Sequence, residues 1–105
     1  MNSVRLEGTL ATTVEARVYD ERRRASFLLH VGRPERRGAD FLPVVAWNAV
    51  ADACDRLTKG DRVALEGALR SRRWEDAEGR RRRAVEVVAT SVRAVSASEE
   101  ASMAS

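Results

Sequence analysis

From Ser3 to Val18 the apolar residues fall at even positions, with Val4, Leu6, Leu10, Val14, Ala16 and Val18 in step and Gly8 and Thr12 filling the gaps. A period of two is that of a strand with one buried face, and the β-branched Thr12 suits it. Gly8 weakens the pattern and predicts a bulge or sharp bend, as a strand shared between two sides of a small barrel requires. Asp20 to Arg24 is polar and reads as a turn. Alternation resumes from Ser26 to Val31, with Phe27, Leu29 and Val31 on one face and Leu28 and His30 on the other, so the two strands predict a hairpin.

Gly32 to Asp40 holds Pro34, Gly38 and four charged residues from Arg33 to Arg37, and predicts a mobile loop. Phe41 to Trp47 is a third strand, apolar on both faces. Asn48 is a helix-capping residue type, and Val50, Ala51, Cys54 and Leu57 recur at helical spacing until Lys59-Gly60, which predicts a short helix of about three turns. Val63, Leu65, Gly67 and Leu69 then alternate with polar or small residues in a fourth strand that runs on toward Trp74. Glu75 to Gly79 is a hairpin turn, and Arg82 to Ala94 is a fifth strand with Val85, Val87 and Ala89 on one face. Three strands, one short helix and two strands, in a chain of 105 residues, predict an all-β domain: the five-stranded Greek-key barrel known as the OB-fold, with the helix between strands 3 and 4 plugging one end. The domain spans residues 1–95, and the Ser, Ala and Glu composition of residues 96–105 predicts a disordered tail.

This length accommodates one core, and no run approaches the ~20 apolar residues that cross a bilayer. The first ten residues show no basic stretch followed by an apolar one, so the expectation is a cytoplasmic protein with no membrane partner. One cysteine and one histidine exclude an internal disulfide and a structural zinc site. Of the formal net charge of +3, the last ten residues contribute Glu99 and Glu100 and no cation, which leaves the preceding 95 residues at +5. A basic body favours a polyanionic partner.

Gripping an unpaired nucleic-acid strand takes flat side chains to stack on bases and cations to follow phosphates, on an exposed sheet face. With Val63, Leu65 and Leu69 inward, alternation sends Arg70, Arg72 and Trp74 outward together. Trp74 then has two readings, a stacking platform or a ring folded over a hairpin corner. Phe41, Pro43, Val45 and Trp47 share one face and Leu42, Val44 and Ala46 the other, and periodicity alone does not choose which set is core. Phe27 reads as core, and Tyr19 sits at a turn. The arginine runs 22–24, 33–37 and 80–83 fall at strand ends or loops that a barrel of this kind can gather around one groove. Catalysis has little to stand on: His30 lies within an apolar strand, Cys54 at helical spacing reads as an inert buried thiol, and neither a phosphate-cradling glycine loop nor a nucleophile elbow is present.

The stretch Asn2-Ser3-Val4-Arg5-Leu6-Glu7-Gly8-Thr9-Leu10 resembles the opening strand of bacterial single-stranded DNA-binding proteins, and Phe27 to Arg33 resembles their second strand. The run from Phe41 through Val44-Val45-Ala46-Trp47 and Leu57-Thr58-Lys59-Gly60-Asp61-Arg62-Val63 to Glu66-Gly67 is similar to the family's central signature. Leu69 to Asp76, Gly79 and Glu86-Val87 complete a resemblance that spans about residues 2–95. It implies sequence-tolerant binding and protection of single-stranded DNA in replication, recombination or repair, without catalysis, metal or cofactor. It further implies a homo-oligomer, a tetramer before a dimer, and association with the nucleoid. The family's stacking aromatics fall on Phe41, Trp47 and Trp74, and its phosphate-contacting residues on Arg33, Arg70, Arg72 and Arg73. Two departures stand out. No further aromatic follows the second strand, where this chain has only the Arg33 to Arg37 region, and the end from Glu99 to Ser105 lacks the acidic and aromatic tip that docks replication and repair proteins. Two rival readings follow from the same residues: an RNA-binding OB module, and a primosome-type interaction protein that uses the fold for protein contacts.

Overall fold

In the computed structural model, which describes residues 1–32 and 38–96, alternation has become a sheet that meets itself. Its elements are β1 (Val4–Leu10), β2 (Glu15–Tyr19), β3 (Arg22–Gly32), β4 (Ala39–Trp47), α1 (Ala49–Cys54), β5 (Arg62–Glu75) and β6 (Arg81–Ala94). The hydrogen-bonded order is β1-β5-β6-β4-β3-β2, and β1 also pairs with β3, which closes the strands into a ring. The single long strand expected from residue 3 to residue 18 is thus divided. β2 pairs with the first half of β3, from Glu15 opposite Ser26 to Tyr19 opposite Arg22, while Thr9 and Leu10 of β1 pair with His30 and Leu29 near its other end. Together they occupy one edge of β3, so five-strand logic holds although the first strand breaks at residues 11–14.

Gly8 sits where this closure is tightest. A Cβ there would collide with the His30 carbonyl oxygen and lie 3.0 Å from Leu29 Cγ. Gly67 serves the same end on the other side, where a side chain would meet the Val88 carbonyl. Beside it, Glu66 pairs with Ser91 but Gly67 with Ala89, so Thr90 is an extra residue in β6, and its hydroxyl donates to the Glu66 carbonyl at 3.2 Å. The bulge reverses the parity of β6, which lets Val92 join Val87 and Ala89 against the core despite its even number.

Inside the ring lie Leu10, Phe27, Leu29, Val44, Val63, Leu65 and Val87. Ala51, Cys54 and Leu57 cover one end, and burial pushes the Cys54 thiol up to about 11, consistent with an inert cysteine. The helix is shorter than its sequence spacing predicts, ending at Cys54, with Leu57 held by a turn in which its N–H donates to the Cys54 carbonyl. Asn48 does not cap it by side chain. Its Oδ1 instead accepts from the Arg23 N–H at 3.1 Å, tying the start of the helix to β3. Leu69 and Val85, expected inward, are 44% and 55% exposed, because the β5–β6 hairpin outruns the core and its far half has no layer beneath it.

The tip of that hairpin is organised by Asp76, whose carboxylate accepts from the Glu78 and Arg80 backbone N–H groups at 3.0 and 2.9 Å and from Arg82 Nε at 2.9 Å. The Arg80 N–H first, and then the Arg82 guanidinium, hold its pKa below the usual carboxylate value.

Two outcomes follow. Gly8→Ala should cost roughly 2–3 kcal/mol, because backbone rather than a yielding side chain blocks the added methyl, read as a lower urea midpoint at unchanged slope. Because the folded-state pKa of Asp76 lies below its unfolded value, the stabilisation it gives the tip is complete above the ordinary carboxylate range. It is lost as pH falls through the lowered value. Amide-exchange protection at Glu78 and Arg80 should therefore drop on acidification before that of the core strands.

Candidate nucleic-acid interface

The pairing of β3 with β4 sets two outward rows side by side: Arg24 opposite Trp47, Ser26 opposite Val45, Leu28 opposite Pro43, and His30 opposite Phe41. The opposite faces carry Ala25, Phe27, Leu29, Val44 and Ala46, all buried, so the choice that periodicity left open falls to Phe41 and Trp47 as the outer set. Val45 on the outer row is nevertheless only 2% exposed, forming an apolar base between the two rings. Phe41 and Trp47 lie six residues apart on one strand, roughly 20 Å.

Trp47 is half-buried and ringed by guanidiniums. The Arg22 guanidinium carbon lies 4.3 Å from the indole centroid and that of Arg24 6.0 Å, with the Tyr19 ring 6.4 Å away at 53°. Such cation–π contacts hold the ring in place. Phe41 is 57% exposed and meets His30 edge-on at 5.3 Å. Across β6, Arg70 pairs with Glu86, and Arg70, Arg72 and Trp74 share the outward parity of β5. Trp74 is 40% exposed, its ring 4.9 Å from the Arg72 guanidinium.

These rows curve into a continuous groove. One part, about 750 Å³, is walled by Tyr19, Arg22 and Trp47 on one side and Arg70, Ser71 and Arg72 on the other. The adjoining part, about 350 Å³, runs past Ser26, Leu28, Pro43 and Val45, and the two share Glu15, Arg24, Arg72 and Glu86. Five arginines and two glutamates line the larger part, so it is cationic with carboxylates set within it.

Of the residues singled out by sequence, Trp47, Arg70 and Arg72 line the groove, Phe41 lies on the same outer row, and Trp74 stands on the hairpin above it. Arg73 does not join them: its parity puts it on the other face of the hairpin, opposite Arg83 and beside a second concavity at the hairpin tip. Arg33 lies outside the described residues. Sequence reasoning put Arg22 and Arg24 in a turn, whereas the turn is only Asp20-Glu21, both with positive φ, and the arginines belong to β3. Their place beside Trp47 was encoded in the alternation with Ala25 and Phe27, once the strand is extended back to residue 22. Tyr19, Arg17 and Glu86 also went unnoticed as groove residues. For Glu86 the signal was available, a lone acid at the same parity as Ala84 and Val88.

Compared with known proteins, the chain matches the Single-strand binding protein family over residues 1–95. It is similar to a protein named "Single-stranded DNA-binding protein" from Caldanaerobacter subterraneus, 40% identical over 65 residues, covering 61% of this chain and 43% of that one. A protein of the same name from Thermotoga maritima is 40% identical over 76 residues, covering 65% of this chain and 54% of the relative. "Single-stranded DNA-binding protein 1" of Clostridium acetobutylicum is 33% identical over 84 residues, covering 74% and 76%. The chain thus spans about half the length of the first two.

The contacts around Trp47 give a direct test of the groove wall. In a Trp74→Phe background, which leaves one indole, Arg22→Ala should raise the acrylamide quenching constant of Trp47 and red-shift its emission. An unchanged constant would mean that the guanidinium does not shield the ring in solution.

Proposed function

This chain belongs to the single-strand binding protein family and so has the OB-fold of a nucleic-acid-binding protein rather than of an enzyme, and we propose that its groove holds single-stranded DNA in a sequence-tolerant way. The observation that carries the reading is Trp47, a half-buried indole flanked by Arg22 and Arg24 on the same outer row as the exposed ring of Phe41. Large exposed rings gain apolar contact when bases stack on them, and the guanidiniums beside them are placed to meet the phosphates of the same strand.

In this reading Trp47, Phe41 and Trp74 each stack on a base at separate places along the strand, while Arg70, Arg72, Arg22 and Arg24 neutralise phosphates along the groove. Arg33 is a further phosphate contact in this reading, and so is Arg73, from the far face of the hairpin rather than from within the groove. Residues 1–95 form the binding domain in this reading. The protein works as a homo-oligomer, a tetramer before a dimer, on DNA exposed in replication, recombination or repair, in the cytoplasm and at the nucleoid. Among the described residues no helix is long and apolar enough to cross a membrane.

Oligo-dT should quench tryptophan fluorescence at low salt. Trp47→Ala should weaken binding by about 1–3 kcal/mol, as should Trp74→Ala, by loss of one stacked base each. Affinity should fall with salt, and Arg24→Ala should lower the logarithmic slope by about 0.7, the share of one phosphate. Absence of quenching at low salt, or a Trp47→Ala variant that binds as tightly as the parent, would overturn the reading.

A further inference from the structure

Glu86 is the one buried charged residue among those described, 5% exposed, in a groove otherwise rich in arginine. It lines both parts of the groove, at the junction it shares with Glu15, Arg24 and Arg72. Arg70 Nη2 donates to its Oε1 at 3.1 Å. A carboxylate has room for about four donors, so one guanidinium contact leaves acceptor capacity to be presented to whatever fills the groove. Among the described residues no buried side-chain oxygen lacks a partner, which fits a carboxylate whose remaining surface opens into this space.

A fixed negative charge at this depth repels a phosphate and attracts an N–H donor. The bases that carry exocyclic amines are cytosine, adenine and guanine. Thymine offers only a ring N–H flanked by two carbonyl oxygens, and its O4 stands where cytosine has its amine. Phosphates are thereby directed to the arginines at the rim and base edges to the floor. We propose that Glu86 is a specificity-determining acceptor that favours an amine-bearing base, cytosine over thymine, at one nucleotide position per subunit. The inference rests on the single-stranded DNA reading and adds to it a selectivity that stacking alone does not supply, since stacking tolerates every base.

The test compares oligo-dC and oligo-dT of equal length by tryptophan quenching at one salt concentration, for the parent and for Glu86→Gln. Removing a charge lifts affinity for both strands alike, so the ratio of the two dissociation constants isolates the effect. Gln accepts from the amine of cytosine and donates to O4 of thymine, and the ratio should therefore shift toward thymine by about three- to tenfold. The parent protein supplies an arm that needs no substitution: an oligomer in which 2-pyrimidinone replaces cytosine, lacking only the amine, should bind several-fold more weakly than oligo-dC. An unchanged dC to dT ratio in Glu86→Gln, or equal affinity of the parent for the 2-pyrimidinone oligomer and oligo-dC, would overturn the inference while leaving single-strand binding intact. Failure of every oligomer to bind would overturn the underlying reading, and this one with it.

Discussion

The closeness of two backbones, Gly8 of β1 against the His30 carbonyl of β3, is the constraint on which the rest of the molecule depends. A sheet of twisted strands closes on itself only if its strands tilt and stagger so that its two edges meet. Here β1 pairs with the end of β3 and β2 with its beginning, and closure brings β5 and β6 round to β4, with which β6 runs parallel. Without that approach the outward row of β5 would not face those of β3 and β4, and there would be no groove. A methyl group is enough to matter, because the obstacle is main chain on both sides.

Closure also explains how consecutive residues of one kind acquire different roles. Arg22, Arg23 and Arg24 read as one basic run, yet strand parity divides them. Arg22 and Arg24 point to Trp47, while Arg23 turns to the helix and makes a two-pronged pair with Asp52, with N to O distances of 2.7 and 2.8 Å. That pair raises the Arg23 pKa and lowers that of Asp52, the shared hydrogen bond being the main cause in both. Solvent screens it, so its value lies in fixing the register of α1 against β3 rather than in stability. The two outer arginines belong to the groove.

Much of this was legible from alternation. The strands around Phe27, Val44, Val63 and Val87, the single helix, and the outward set Arg70, Arg72 and Trp74 all follow from a period of two and its interruptions. What escaped depended on single residues that break the period without a chemical signature. Asp20 and Glu21 make a two-residue turn with positive φ although neither is glycine or asparagine, so the strand start was placed after the arginines. Thr90 inserts a bulge that no local propensity marks. The side of β4 that forms the core was ambiguous because both faces are apolar, and Val44, Val45 and Ala46 are indeed all buried. Only the neighbouring strand, with Phe27 and Leu29 inward, decides it, and which residues are cross-strand neighbours is not written in either strand alone.

The three rings are not held alike, and this should divide the work among them. Trp47 sits over a buried Val45 with cations beside it, and Phe41 lies on the same strand against His30. Trp74 stands on a stretch of β5 that is exposed from Leu69 to Glu75. That stretch is tied down at its base by Asn2, whose side chain donates to the Leu69 carbonyl and accepts from its N–H, and at its tip by the Asp76 turn. An arm with no layer beneath it belongs to the least stable part of a fold, whereas rings on a packed strand are already ordered. Stacking on Trp47 and Phe41 therefore loses little freedom on binding, and stacking on Trp74 must also order the arm that carries it. On the proposed reading the rigid pair would set where the strand lies, and ordering of the hairpin arm would follow.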